Sequence, residues 1–305
     1  MAAMIGSLPR RWMDALLLRL SPRTLDRLAR AAWGARSLFD ARARWEGIAR
    51  YEWGRDHACL RRADAWRSMA GAAAERMIDR RLLAARAAGR DVRLPDLDLA
   101  ARALAQRIER IWQAEPERPV IVSPFHFVSQ YANVYVVDAV SAALRLPAIS
   151  IVSGIRREAY GGEEATLIAG LRVQHTYDET GRNSLGLRIA RALRRDRVAV
   201  IFADVPPYLM QRYPMETVGV TILERPARIH SGVFRIGAPQ DALLLPFYLR
   251  FANGRFSLVD LDAIELAGAD APQRVADDIS RAIRDDYPNW ILAGHPSQYG
   301  FAPLR

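Results

Sequence analysis

Two unbroken apolar runs, Val120-Ile121-Val122 and Val198-Ala199-Val200-Ile201-Phe202, set the strongest limit on the fold. Neither alternates apolar with polar side chains, so each reads as a strand buried on both faces. Further strands are predicted over Pro147–Val152, Arg172–Val173, Val218–Leu223, Ala242–Phe251 and Phe256–Leu261. Between and after them, helical spacing is found over Ser129–Leu144, Glu163–Leu171, Ser184–Arg194 and Gln273–Asp286. Strands alternating with helices of roughly 10 to 15 residues predict an α/β fold, a central mixed sheet flanked by helices. Upstream, residues 1–115 read as a basic, amphipathic helical region, and residues 116–305 as the α/β region, the two forming one integrated domain.

In the helical region, Met13, Leu16, Leu17 and Leu20 share one face with Trp12. Ser21-Pro22 reads as an N-cap followed by proline at the first helical position, and Leu25, Leu28, Ala29, Ala32 and Trp33 form the next apolar stripe. Helical composition continues from Ala41 to Ala88, and Gly89 is placed as a C-cap. Asp96 or Asp98 is placed as the cap of a helix with the face Ala101, Leu104, Ile108, Ile111 and Trp112.

The 305 residues carry a formal charge of +10, and all 44 basic Lys/Arg positions are arginine. Lacking lysine, the chain has no P-loop lysine, Schiff-base lysine or lysine general base. One cysteine, Cys59, excludes an intrachain disulfide and a cysteine-rich metal site. His-x-His, HExxH and G-x-S-x-G are all absent, which argues against a zinc hydrolase and a serine hydrolase. A basic surface favours an anionic partner. Nucleic acid ranks low, because the arginines are spread over amphipathic helices and no named DNA- or RNA-binding signature occurs. A basic amphipathic helix with Trp and Leu on its apolar side fits a phospholipid surface. No window of 18 apolar residues occurs, and the N-terminus lacks the pattern of a secretory signal.

The strand Val120–Val122 runs into Ser123-Pro124-Phe125-His126. A histidine at the end of a buried strand sits at the mouth of the sheet and exchanges a proton near neutral pH. Asp204 occupies the corresponding place after Val198–Phe202, where it either orients a ligand or caps Val205-Pro206-Pro207. His126 and Asp204 are the candidate catalytic residues; Arg235, Arg228, Tyr131 and Gln130 are the candidate substrate-binding residues. His295 is read as structural.

The order of these pieces resembles the lysophospholipid acyltransferase superfamily, and within it the lipid A biosynthesis (lauroyl/myristoyl) acyltransferases. The resemblance rests on the arginine-rich lead-in from Leu20-Ser21-Pro22-Arg23 to Arg50; on Pro119 to Phe127; on Arg194-Arg195-Asp196-Arg197 through Asp204; on Ser231-Gly232-Val233-Phe234-Arg235 through Tyr248; and on the tail Tyr287 to His295. It implies a monomeric peripheral protein on the cytoplasmic face of the inner membrane. It also implies transfer of a fatty acyl group from acyl carrier protein (acyl-ACP) or acyl-CoA to a hydroxyl or amine. His126 would be the general base and Arg235, with Arg228, would hold an anionic group; no metal or redox cofactor is implied.

One position departs from the family pattern of histidine, four residues, then an acid: the fifth residue after His126 is Tyr131. A tyrosine can hydrogen-bond but does not balance an imidazolium charge. Three readings are open at this level. Another acid (Asp204, Asp138 or Glu163) reaches His126, the acceptor is a stronger nucleophile such as an amine, or catalysis is lost and the protein binds lipid or carrier protein as a scaffold.

Overall fold

The computed structural model describes residues 8–87, 94–153, 170–175, 185–207, 216–294 and 299. The fold is mixed α/β, with a central mixed sheet flanked by helices. Among the described residues, six helices come first: α1 (Leu8–Arg19), α2 (Pro22–Phe39), α3 (Ala41–Asp56), α4 (Arg62–Ser68), α5 (Gly71–Ala87) and α6 (Pro95–Ala114). They are followed by β1 (Val120–Pro124), α7 (Gln130–Ala143), β2 (Ile149–Ser153), β3 (Leu171–His175), α8 (Leu185–Asp196) and β4 (Val198–Val200). The chain continues with β5 (Thr217–Ile222), β6 (Arg225–His230), α9 (Gly232–Gly237), β7 (Leu243–Ala252), β8 (Arg255–Asp260), β9 (Ile264–Glu265) and α10 (Ala271–Asp286).

The sheet order is β3-β2-β4-β1-β7-β8, with β9 also on β7. The five strands from β3 to β7 run parallel, while β8 and β9 are antiparallel to β7. β1 is therefore central, with Val120 opposite Val198 on one side and Leu243 on the other. Every side chain of β1 and β4 is buried, as their unbroken apolar runs require. Removing a β-branched side chain of this kind from water is worth roughly 1.5–3 kcal/mol. The same core continues into the helical region through Ile78 and Leu82 of α5 and Leu97, Leu104 and Ile108 of α6.

Ser21 caps α2 as its sequence predicts, accepting from Thr24 N–H at 3.1 Å with Pro22 at the first turn. The buried stripe of α2 is narrower than expected: Leu25 and Ala29 are buried and Trp33 half-buried, whereas Leu28 and Ala32 face outward. Four-residue spacing selects them, because α2 meets its neighbours α3 and α5 along one line. In α1, Leu17 is buried and Leu16 exposed. The helical stretch from Ala41 is broken twice, after Asp56 and after Ser68. At the first break Cys59 has φ 52° and Leu60 N–H returns to Gly54 O at 3.0 Å. Neither Asp96 nor Asp98 caps α6. Leu94 holds that position without a side-chain bond, and Asp96 instead accepts from Phe256 N–H at 3.2 Å, tying the helix start to β8.

The stretch containing Arg225 and Arg228 is a strand, β6, rather than a connection, and it pairs antiparallel with β5 in a separate hairpin. Its turn is Leu223-Glu224, both with positive φ (49° and 64°). Glycine 89 and His295 lie outside the described residues, as do residues 163–169 of the helix predicted over Glu163–Leu171; Leu171 itself begins β3.

Candidate active site

Adjacent parallel strands deliver His126 and Asp204 to one edge of the sheet. β4 stops pairing after Val200, and Ile201 N–H makes a last bond to Val122 O at 3.1 Å. From there the buried Ser123 hydroxyl takes over, accepting from Ala203 N–H at 3.1 Å. That bond holds the turn that carries Asp204 over the end of β1. The Asp204 carboxylate then meets two donors of one residue. Its Oδ2 accepts from the His126 backbone N–H at 2.6 Å, and its Oδ1 stands 2.8 Å from His126 Nδ1. A carboxylate is acceptor-only, so this arrangement places the proton on Nδ1 and leaves Nε2 with a lone pair when the ring is neutral. Asp204 thus does more than cap the following segment, and it is the acid that reaches His126. Asp138 lies elsewhere, ion-paired with Arg86 and accepting from Gly170 N–H at 2.8 Å. Glu163 is outside the described residues.

The imidazole is tucked in but open: its side chain keeps 15 % of its exposure, against 2 % for Asp204. Burial alone would lower its pKa. The charge and hydrogen bond of Asp204, with a further contribution from Glu75, outweigh that and raise it above the usual 6.5. Phe202 lies against the ring, centroids 4.8 Å apart.

The backbone around His126 is fixed from three sides. Val128 has φ 64°, an outlier for a β-branched residue and a form of strain found at functional sites. Its N–H donates to Asn289 O at 2.7 Å, and His126 O accepts from Ile291 N–H at 2.9 Å. The segment carrying Asn289 and Ile291 is in turn held by Arg50. This buried guanidinium donates to Trp290 O at 2.9 Å, Ser68 O at 2.6 Å, and at 3.3–3.4 Å to Ala293 O, Ile291 O and Pro288 O. Burial lowers the Arg50 pKa, with Tyr287, Glu75 and Glu46 acting in the opposite sense. On the far side, Tyr299 O–H donates to Asp204 O at 2.7 Å, and Tyr299 O accepts from Arg228 N–H at 3.0 Å.

Ser129 caps α7, accepting from Ala132 N–H at 3.0 Å while its own hydroxyl donates to Asp79. Gln130 and Tyr131 form the first turn of that helix. The Gln130 Oε1 is buried with no hydrogen-bond partner among the described residues. Tyr131 lies beside Tyr135, ring centroids 6.2 Å apart. The Arg228 side chain is committed to Thr217, donating to its Oγ1 at 2.7 Å and its carbonyl at 3.2 Å. Arg235 is exposed on α9 and pairs with Glu216 at 2.6 Å. Among the described residues, no hydrogen bond or ion pair joins Arg235 to His126 or Asp204. The site thus gathers His126 and Asp204, attaches Arg228 through the backbone and Tyr299, and leaves Arg235 at the surface.

Sequence reasoning missed Arg50, Glu75, Asp79 and Tyr299. Each is set by distant contacts and carries no local motif. The arrangement has one directed proton acceptor, an acid that fixes its tautomer, and a strained, tightly tied backbone. This is the equipment for removing a proton from a nucleophile. Among the described residues, no three His, Cys, Asp or Glu side chains form a metal-ligand group. No family model matches this chain, and no curated protein matches it.

Proposed function

We propose that this protein is an acyltransferase in which His126 and Asp204 form a general-base dyad. The reading is carried by one observation: both oxygens of Asp204 are engaged by His126, one by Nδ1 and one by the backbone N–H. The sequence resemblance to lipid A biosynthesis acyltransferases supplies the reaction class. The acid missing at Tyr131 is replaced from a neighbouring strand, which weighs against the scaffold alternative.

The chemistry follows from the tautomer. His126 Nε2 takes the proton of the acceptor hydroxyl or amine as that atom attacks the carbonyl of an acyl-ACP or acyl-CoA thioester. Asp204 stabilises the imidazolium that forms. Collapse of the tetrahedral intermediate breaks the C–S bond, and the imidazolium returns its proton to the departing thiolate. Arg235, exposed and paired with an exposed glutamate, can exchange that partner for an anionic group of donor or acceptor. A guanidinium fork suits phosphate. Arg228 acts nearer the dyad, holding the strand that Tyr299 bonds.

The α2–α3 corner supports peripheral attachment to an anionic phospholipid surface at the inner membrane. It exposes Phe39 at 91 %, Leu38 at 72 % and Trp45 at 64 %, beside the exposed Arg36, Arg42 and Arg44. Aromatic and apolar side chains among arginines are the composition of an interfacial anchor. No helix among the described residues is long and apolar enough to cross a membrane.

Purified protein is tested with labelled acyl-ACP and acyl-CoA against hydroxyl- and amine-bearing lipid acceptors, beside His126→Ala and Tyr131→Glu. Transfer lost in His126→Ala supports the proposal. Activity that appears only in Tyr131→Glu shows a disabled site and overturns it. Flotation with phosphatidylglycerol vesicles tests the corner: Phe39→Asp/Trp45→Asp is expected to float less, and unchanged flotation removes the attachment claim.

A further inference from the structure

α5 presents a row of polar residues to the back of the His126 corner. Gly71, Glu75 and Asp79 recur every four residues, so they lie along one face at steps of about 6 Å. Both ends of that row are fixed. A Cβ on Gly71 would overlap Arg50 Nη2, so the helix start is pressed against the guanidinium that holds Trp290 O and Ile291 O. Asp79 accepts from the Ser129 hydroxyl, three residues beyond His126, and from the Tyr131 backbone N–H. The helix therefore bridges the two sides of the corner, and α5 packs on α7. Glu75 occupies the middle of the bridge.

Glu75 makes no hydrogen bond or ion pair among the described residues. The charged groups whose fields reach it are Asp79 and Arg76 on its own helix, Arg50 on α3, and His126 at the corner. Arg50 is already committed to five carbonyls. A half-buried carboxyl whose charge reaches a proton-exchanging imidazole has an electrostatic consequence for that imidazole.

We infer that Glu75 is a positioning residue for His126, a second carboxylate that stabilises the imidazolium alongside Asp204. This rests on His126 acting as the general base. While Glu75 is ionised, the imidazolium is favoured and the base is stronger. Burial, with the nearby charge of Asp79, pushes the Glu75 carboxyl up to about 7 against the pull of Arg50 and His126, so its support fades as the pH falls below neutrality. Glu75 and His126 then titrate as a coupled pair rather than as two independent groups.

The test reads His126 directly. Nitrogen-15 imidazole titrations of wild type, Glu75→Gln and Glu75→Asp are compared, with His126→Ala to assign the signal. Neutralising Glu75 is expected to move the His126 midpoint to lower pH, and Glu75→Asp to restore it in part. In the transfer assay, Glu75→Gln is expected to lower kcat on the alkaline plateau while its acid limb shifts to lower pH. Lost packing alone lowers the plateau without moving the limb. An unchanged His126 midpoint in folded Glu75→Gln overturns the inference. Should that variant not fold, carbon-13 carboxyl titration of wild type decides. One glutamate titrating near neutrality, in step with His126, supports the coupling, and all glutamates titrating in the ordinary range overturn it. Absence of acyl transfer by wild type would instead refute the enzyme reading while leaving these titrations informative.

Discussion

Replacing Asp204 by asparagine removes one charge and almost no volume from a buried position. The consequence is decided by the second donor at the site. The His126 backbone N–H points at Oδ2 from 2.6 Å and cannot turn away, so the asparagine must place its oxygen there. Its NH2 group is then left facing Nδ1, 2.8 Å away in the native site. A donor opposite Nδ1 requires that nitrogen to be an acceptor, which moves the ring proton to Nε2 and removes the base from the substrate side. The same exchange in a Ser-His-Asp triad lowers kcat by about four orders of magnitude, or about 5 kcal/mol of barrier. A loss of roughly that size is expected for Asp204→Asn, with the fold retained. Thiol release from an acyl thioester, followed with a chromogenic disulfide, measures the rate. Nitrogen-15 shifts of the His126 ring report which nitrogen holds the proton. The reasoning fails if Asp204→Asn keeps its rate within tenfold of wild type, or if Nδ1 remains protonated in it.

Because Asp204 and Glu75 raise the His126 pKa, the acid limb of kcat/KM is expected above the ordinary histidine value of 6.5, with activity rising as the imidazolium loses its proton; a limb below 6.5 contradicts this. Tyr299→Phe leaves the Asp204 carbonyl short of one donor and is expected to cost about 1–3 kcal/mol by chemical denaturation, with a reduced kcat. Gly71→Ala drives a methyl into a guanidinium that carbonyls already hold in place. A loss of roughly 1–3 kcal/mol in denaturant unfolding is expected, where a flexible neighbour would give almost none. Burial pushes the Asp286 carboxyl up from 3.8 to about 7, opposed by Asn289 and Arg250. A raised acid favours the folded state below its unfolded pKa and loses that contribution as pH climbs through about 7. Asp286→Asn is therefore expected to raise stability at pH 8 by on the order of 2–4 kcal/mol, read as a higher Tm, and to change it little at pH 4.

The sheet was legible because its central strands carry apolar side chains on both faces, a pattern that surface strands and amphipathic helices do not share. Val120–Val122 and Val198–Val200 needed no tertiary information to be placed. The β5–β6 hairpin was not, since its turn places Leu223 and Glu224 at positive φ, where asparagine and glycine are the usual signal. Asn253-Gly254, at φ 54° and 75°, is that signal at the β7–β8 turn. His126 and Asp204 could each be placed at a strand end, but their meeting depends on strand adjacency and on the Ser123 hydroxyl that steers Ala203. Arg50 was unreadable for a different reason. Among so many arginines its burial follows from tertiary contacts, with Ser68 O eighteen positions on and with carbonyls more than two hundred positions away. Arg235 shows the converse: it stood out in the sequence, yet the fold leaves it on the surface against Glu216.

The central claim is acyl transfer by the His126–Asp204 dyad, and a single assay tests it most directly. Labelled acyl-ACP and acyl-CoA are incubated with a panel of hydroxyl- and amine-bearing lipids and with wild type, His126→Ala or Asp204→Asn, and the lipid product is counted. Product from wild type, falling by at least about a thousandfold in both variants, is the expected result. Equal product from His126→Ala and wild type, or none from wild type with any donor and acceptor, would contradict it.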